Sequence, residues 1–165
     1  MDFKMEQWAS EFYPMLHGCV EKDRRMGRAL EAAAYDALAL VAVNMDRSLR
    51  LESEDRGLSE QLSRLASEWL SCFRLVARLR LALSGEPMRE RGHGGVHVRR
   101  DCARSGDLYS KEALEAAREL RTWGERLHTL TARTDDCIVR AVLETLARES
   151  ERMALETEDL IKDKS

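Results

Sequence analysis

Arginine is the residue type in this sequence with the clearest capacity for chemistry. Residues 68 to 106 hold eight arginines, no lysine and four acids. A guanidinium is planar, permanently charged and forked, so a run of arginines without lysine suits phosphate oxygens and stacked bases. Arg74 and Arg78 stand one helical turn apart, and Arg89, Arg91, Arg99, Arg100 and Arg104 follow in a glycine-rich stretch. A second basic cluster, Lys22, Arg24, Arg25 and Arg28, lies well upstream. The same residues also fit a plainer role, a solvated helix face continued into a loop.

Other chemistry finds less support. A carboxylate-bridged di-iron bundle needs two E-x-x-H pairs on helices and two further inward glutamates, and only Glu125 and His128 match within a helical pattern. His93, His97 and Cys102 offer three zinc-type ligands, but their spacing is not that of a finger or ribbon and no fourth ligand accompanies them. There is no G-x-S-x-G elbow, no phosphate-binding glycine loop and no dinucleotide fingerprint. The chain is therefore expected to be non-catalytic, with no cofactor.

The elements that must position these residues read as helices. Leu (23) and Ala (19) far outnumber Val, Ile and Thr (16 together), and only two prolines occur in 165 residues. Residues 2 to 21 place Phe3, Trp8, Phe12 and Cys19 on one face, with Pro14 expected to kink the helix. Asp23 is a candidate N-cap for a second helix reaching about Leu51. That helix carries two apolar stripes, Met26, Leu30, Ala33, Ala37, Leu40 and Asn44, and beside it Ala34, Leu38, Val41 and Met45. Two stripes predict burial on two sides, by the chain's own bundle or by a neighbouring subunit.

The clearest pattern follows the polar break at residues 52 to 57. Leu58, Leu62, Leu65, Trp69, Cys72, Val76, Leu79 and Leu83 step four and three alternately, the spacing of a bundle seam. On its opposite side Arg64, Ser67, Ser71, Arg74 and Arg78 form a polar and basic stripe, and Gly85 with Pro87 stops the helix. Ser110 is expected to cap a fourth helix, and Thr134-Asp135-Asp136 starts either a fifth or a bent continuation of the fourth. Trp8, Trp69 and Trp123 are read as core-filling aromatics.

Net charge is −3, an average over uneven segments: residues 68 to 85 and 86 to 106 carry +2 each, whereas 135 to 165 carry −4. Four scattered cysteines give no disulfide framework, no secretory leader pattern opens the chain, and the longest apolar run, Ala37 to Met45, is too short to span a bilayer. These features predict a cytoplasmic location away from membranes.

An aromatic first helix ending in Tyr13-Pro14, the basic turn of Lys22, Arg24, Arg25 and Arg28, a long second helix, a third bearing Trp69, Phe73, Arg74 and Arg78, and an amphipathic fourth come in a familiar order. Over about residues 5 to 133 this order resembles the four-helix-bundle family of ribosomal-RNA intervening-sequence proteins and Avd, the accessory variability determinant of diversity-generating retroelements. The resemblance implies a pentameric, non-catalytic accessory that binds a reverse transcriptase and its template RNA and supports mutagenic complementary-DNA synthesis. Carried over by position, the basic turn and the Arg74 and Arg78 face would contact nucleic acid. The chain differs from that family in its negative net charge and in about 26 residues between the third and fourth helices.

The expected fold is thus all-α, an up-down four-helix bundle over residues 1–134 with an Arg/Gly-rich loop insertion at 84–109 and a C-terminal helical extension at 135–165. The alternative is an oligomeric protein-interaction bundle without nucleic-acid binding.

Overall fold

Three aspartates punctuate the chain and set where its long helices begin. In the computed structural model, which describes residues 5–88 and 108–163, the Asp23 carboxylate accepts from the backbone N–H groups of Arg25 and Met26, each at 3.0 Å. Asp55 accepts from Leu58 at 3.0 Å, and Asp136 from Ile138 and Val139 at 2.9 and 3.1 Å. Each such cap satisfies donors that the first turn leaves open and stabilises its helix by about 1 kcal/mol. The helices are α1 (Met5–Gly18), α2 (Arg24–Leu51), α3 (Arg56–Ser84), α4 (Leu108–Thr131) and α5 (Cys137–Lys162). No strand occurs among the described residues.

Several boundaries depart from the sequence expectation. Helix α1 ends at Gly18, short of the expected residue 21, and contains Pro14 in its third turn as expected. Helix α4 begins two residues before Ser110, the expected cap. Gly57, read as the end of a polar break, lies in the first turn of α3, and the break closes at Asp55. Gly85 terminates α3 as expected, in the left-handed conformation at φ 70° with its N–H donating to the Leu81 carbonyl at 2.8 Å. A side chain at that φ would be strained, whereas glycine adopts it freely.

The start of α2 lies beside the end of α3, where the Asp23 N–H donates to the Leu83 carbonyl at 2.9 Å. Their other ends meet where Ser48 and Ser59 exchange hydrogen bonds to each other's carbonyls at 2.8 Å. Helices α4 and α5 pair similarly across a short turn. At Gly124 a Cβ would stand 3.1 Å from the Ser150 Cβ and 3.2 Å from the Ala147 carbonyl oxygen, so any larger residue would press α4 and α5 apart by a few tenths of an ångström. The two pairs join through α2 and α4, and through α3 and α5, where Gln61 donates to Thr157 at 3.4 Å and Arg64 meets Glu156 at 2.6 Å. Helix α1 packs against α3 and touches α5.

Every residue of the α3 seam, from Leu58 to Leu83, is buried. Trp69 meets Trp123 edge to face, ring centroids 5.0 Å apart, and the Trp123 indole N–H donates to the Ala33 carbonyl of α2 at 2.9 Å. Large aromatics at a three-helix junction bury much apolar area and fix the approach of all three. Trp8 is only half-buried, in α1 against Phe12. Residues 135–165, expected as an extension, supply α5, whose Val139, Val142, Leu143, Leu146 and Met153 belong to the same core. No described helix is long and apolar enough to cross a membrane.

The two stripes of α2 have different surroundings. Met26, Leu30, Ala33 and Ala37 of the first are buried, and Leu40 is half-buried. From the second, Leu38 and Met45 are each 42% exposed, and Leu49 beyond them is 64% exposed.

Candidate nucleic-acid interface

Of the residues expected to meet nucleic acid, Lys22, Arg24, Arg25, Arg28 and Arg78 lie towards one end of the molecule, where α2 and α5 begin and α3 and α4 finish, and Arg74 stands one turn further along α3. Asp23 orders the entry to α2, so Lys22, Arg24, Arg25 and Arg28 are held around a capped helix start, all four exposed. Gly27, between them, faces inward against Ser84 with only 3.2 Å of clearance for a Cβ, which draws the first turn of α2 tightly onto the end of α3. The Lys22 Nζ reaches Gly85, lying 3.5 Å from where its Cβ would be.

Arg74 and Arg78 are exposed on the outer ridge of α3. Residues 74, 78 and 85 share that ridge, because steps of four and seven return to the same helix face. Lys22 therefore continues the line of Arg74 and Arg78, and the three cationic positions span about 16 Å of helix axis at 1.5 Å per residue. Lys22 and Arg74, 52 residues apart in sequence, thus lie on one line. Arg89, Arg91, Arg99, Arg100 and Arg104 lie outside the described residues.

Pairing separates this end from the rest of the molecule. Arg47, Arg50, Arg56, Arg64, Arg121 and Arg152 all hold carboxylates towards the other end or mid-length. Lys22, Arg24, Arg25, Arg28 and Arg74 make no ion pair among the described residues. Arg118, Arg133 and Arg148 are likewise without one, so freedom from pairing is not unique to the track, but only here do such cations cluster. Arg78 stacks instead on an aromatic ring, its Cζ 3.8 Å from the centroid of Tyr13 in α1.

Two cations at this end have structural work. Arg80, 4% exposed, donates to the Glu86 carbonyl at 2.5 Å and reaches Glu31 at 3.4 Å, tying the chain beyond α3 back onto α2. Arg126 pairs with Asp36 across α4 and α2. Residues 18–28, 78–88 and 126–140, which make up this end, contain nine basic and five acidic side chains; residues 46–64, 111–118 and 151–163 at the other contain eight and twelve.

Sequence reasoning did not pair Tyr13 with Arg78, since no local signal links positions 65 residues apart. It also passed over Arg133 in the α4–α5 connection and Arg140 in the first turn of α5, which the fold brings to the basic end; Arg140 donates to the Thr134 carbonyl at 2.8 Å. Among the described residues no three His, Cys, Asp or Glu side chains gather as a metal site, and Glu125 and His128 are both exposed. His93, His97 and Cys102 lie outside the described residues. Cys72 is buried, and burial pushes its thiol far above the usual range, which makes it an inert packing residue.

Comparison with protein-family models, with curated proteins and with solved structures returned no match.

Proposed function

We propose that this protein is a non-catalytic, cytoplasmic helical scaffold that binds nucleic acid through its basic end, and that it serves a reverse transcriptase and its template RNA in mutagenic complementary-DNA synthesis, as the resemblance to the Avd-like family implies. In this reading α2, α3, α5 and α4 form an up-down bundle, α1 is its outer brace, and copies associate through the second stripe of α2. The observation that carries the nucleic-acid part is the clustering of unpaired Lys22, Arg24, Arg25, Arg28 and Arg74 at one end of a molecule whose other cations are mostly paired. Paired cations are already neutralised, whereas unpaired ones release counterions from a phosphate backbone on binding.

The test is mobility shift of a structured RNA at about 50 and 200 mM salt. Five phosphate contacts give an affinity loss of about two orders of magnitude across that range. R24Q/R25Q/R28Q lowers the salt slope by about 2 to 3 if each cation meets a phosphate. Binding without salt dependence, or unchanged in that variant, overturns the reading. Co-purification with a reverse transcriptase encoded beside the gene tests the partner.

The competing reading, a protein-interaction bundle without nucleic acid, is favoured by one observation, the exposed apolar residues Leu38, Met45 and Leu49 of α2. If that stripe alone is the functional surface, M45E/L49E abolishes association while the arginine variants change nothing.

A further inference from the structure

We propose, resting on the nucleic-acid reading above, that Tyr13, Arg78 and Arg74 form a base-stacking subsite that makes the basic end selective for single-stranded nucleic acid. The Arg78 guanidinium lies over the Tyr13 ring at van der Waals separation and is exposed. The ring covers one side of the cation, and the residue as a whole remains exposed.

Arginine stacked in this way is oriented before any ligand arrives. Its planar fork loses less freedom on binding than a lysine would, and its hydrated area is already reduced by the ring. Arg78 holds no carboxylate among the described residues, so its in-plane donors remain open to phosphate or to the edge of a base. An unpaired base laid on the solvent side of the guanidinium completes a three-layer stack of ring, cation and base. Arg74, one turn back and unpaired, lies about 6 Å along the axis, beside the backbone of the same strand. Lys22 meets that backbone at the other end of the track.

Duplex nucleic acid is unsuited to this arrangement, because its bases are stacked on each other and present only their edges. Unstacked bases in single strands and loops are free to lie on aromatic rings and guanidinium planes. The remaining cations, Arg24, Arg25 and Arg28, bind phosphates of either form.

The experiment uses fluorescence anisotropy of the full chain with short single-stranded RNA, the matching duplex, and an abasic strand of equal length. Wild type is expected to bind the single strand several-fold more tightly than either of the others. R78K keeps the charge and loses the stacking plane; Y13L keeps most of the volume and loses the ring. Each is expected to weaken single-strand binding about tenfold, the scale of one stacked base; Y13L leaves duplex binding and the salt slope unchanged, and R78K, which alters a cation of the track, lowers duplex binding by less than it lowers single-strand binding. Y13F retains wild-type affinity. Thermal melts of each variant show whether the helices remain folded.

If the duplex binds as tightly as the single strand, or if R78K and Y13L lower both equally, the pair is only a brace between α1 and α3 and the proposal is overturned. In that case loss of binding in R24Q/R25Q/R28Q still upholds the broader reading. Absence of binding to all three probes overturns both.

Discussion

Glu119→Ala tests how the two helix pairs are joined. The Arg47 guanidinium of α2 forms two hydrogen bonds to the Glu119 carboxylate of α4, at 2.8 and 3.0 Å, and a third to Asn44 at 3.3 Å. The Arg47 side chain is 7% exposed and that of Glu119 26%. Burial lowers the guanidinium pKa, but the hydrogen bonds and charge of Glu119, with Glu115 and Glu112 behind it, outweigh this and raise it, so the cation cannot escape by losing its proton. Removing one partner of a buried pair costs about 3–5 kcal/mol. The partial exposure of Glu119 and the neighbouring acids reduce that to about 2–3 kcal/mol here.

The asymmetry of the pair sharpens the test. Arg47→Met leaves a carboxylate that water already reaches and costs only about 1 kcal/mol. R47M/E119L replaces both by apolar groups and returns to within about 1 kcal/mol of wild type. Urea denaturation followed by circular dichroism measures all three, with equal m-values required for comparison. For a chain of this size the Glu119→Ala loss lowers Tm by about 5–10 °C. If Glu119→Ala lies within about 0.5 kcal/mol of wild type, or if Arg47→Met is the more damaging, the buried-cation argument is wrong.

Glu68 gives a pH signature. Burial raises its pKa, opposed by Arg152 and Arg64 and aided by Glu149 and Glu156. An acid whose pKa is raised by folding contributes stability when protonated, and this is lost as pH rises through the folded value. Glu68→Gln is therefore expected to raise Tm at pH 7 and to lose that advantage near pH 4, where both side chains are neutral; a constant difference across that range refutes it. Alkylation of the native protein with site-resolved mass spectrometry is expected to modify Cys19 and Cys137, both exposed, and to spare buried Cys72 until unfolding; early modification of Cys72 contradicts its placement in the core. Gly85→Ala is expected to lower stability by about 1 kcal/mol through strain at φ 70°, with no change in salt-dependent RNA binding.

Periodic apolar residues made the helices legible. The α3 seam announced itself because its eight large or medium side chains keep one spacing without interruption, and Asp23 and Gly85 marked their caps by residue type alone. The role of α5 was harder to see. Its C-terminal half packs through Ser150, Ala154 and Thr157, all fully buried, and close packing of small residues leaves no apolar stripe to read. The second stripe of α2 was visible, but not that a single chain leaves Leu38 and Met45 at the surface. Of the candidate interface, the basic residues were legible and their assembly was not. Lys22 joins the line of Arg74 and Arg78 because α2 starts against the end of α3, where Gly27 faces Ser84 with little room for a side chain.

The sorting of charge along the bundle bears on whether a chain of net charge −3 can present a binding surface for a polyanion. At the basic end two of the core helices begin and two end, so their macrodipoles largely cancel and the potential there is set by side chains. The acid-rich end lies the length of α2 away, 28 residues or about 40 Å. Charges interact over only about 8 Å at physiological salt, and six of the twelve carboxylates at that end already hold an arginine. In the proposed function, the distant acids would therefore weaken binding at Lys22, Arg25 and Arg78 very little. They do act on approach at low salt, where the Debye length grows to about 30 Å and the ends sense each other. A molecule sorted in this way orients in the field of a polyanion and presents its basic end first, which raises the encounter rate more than the affinity.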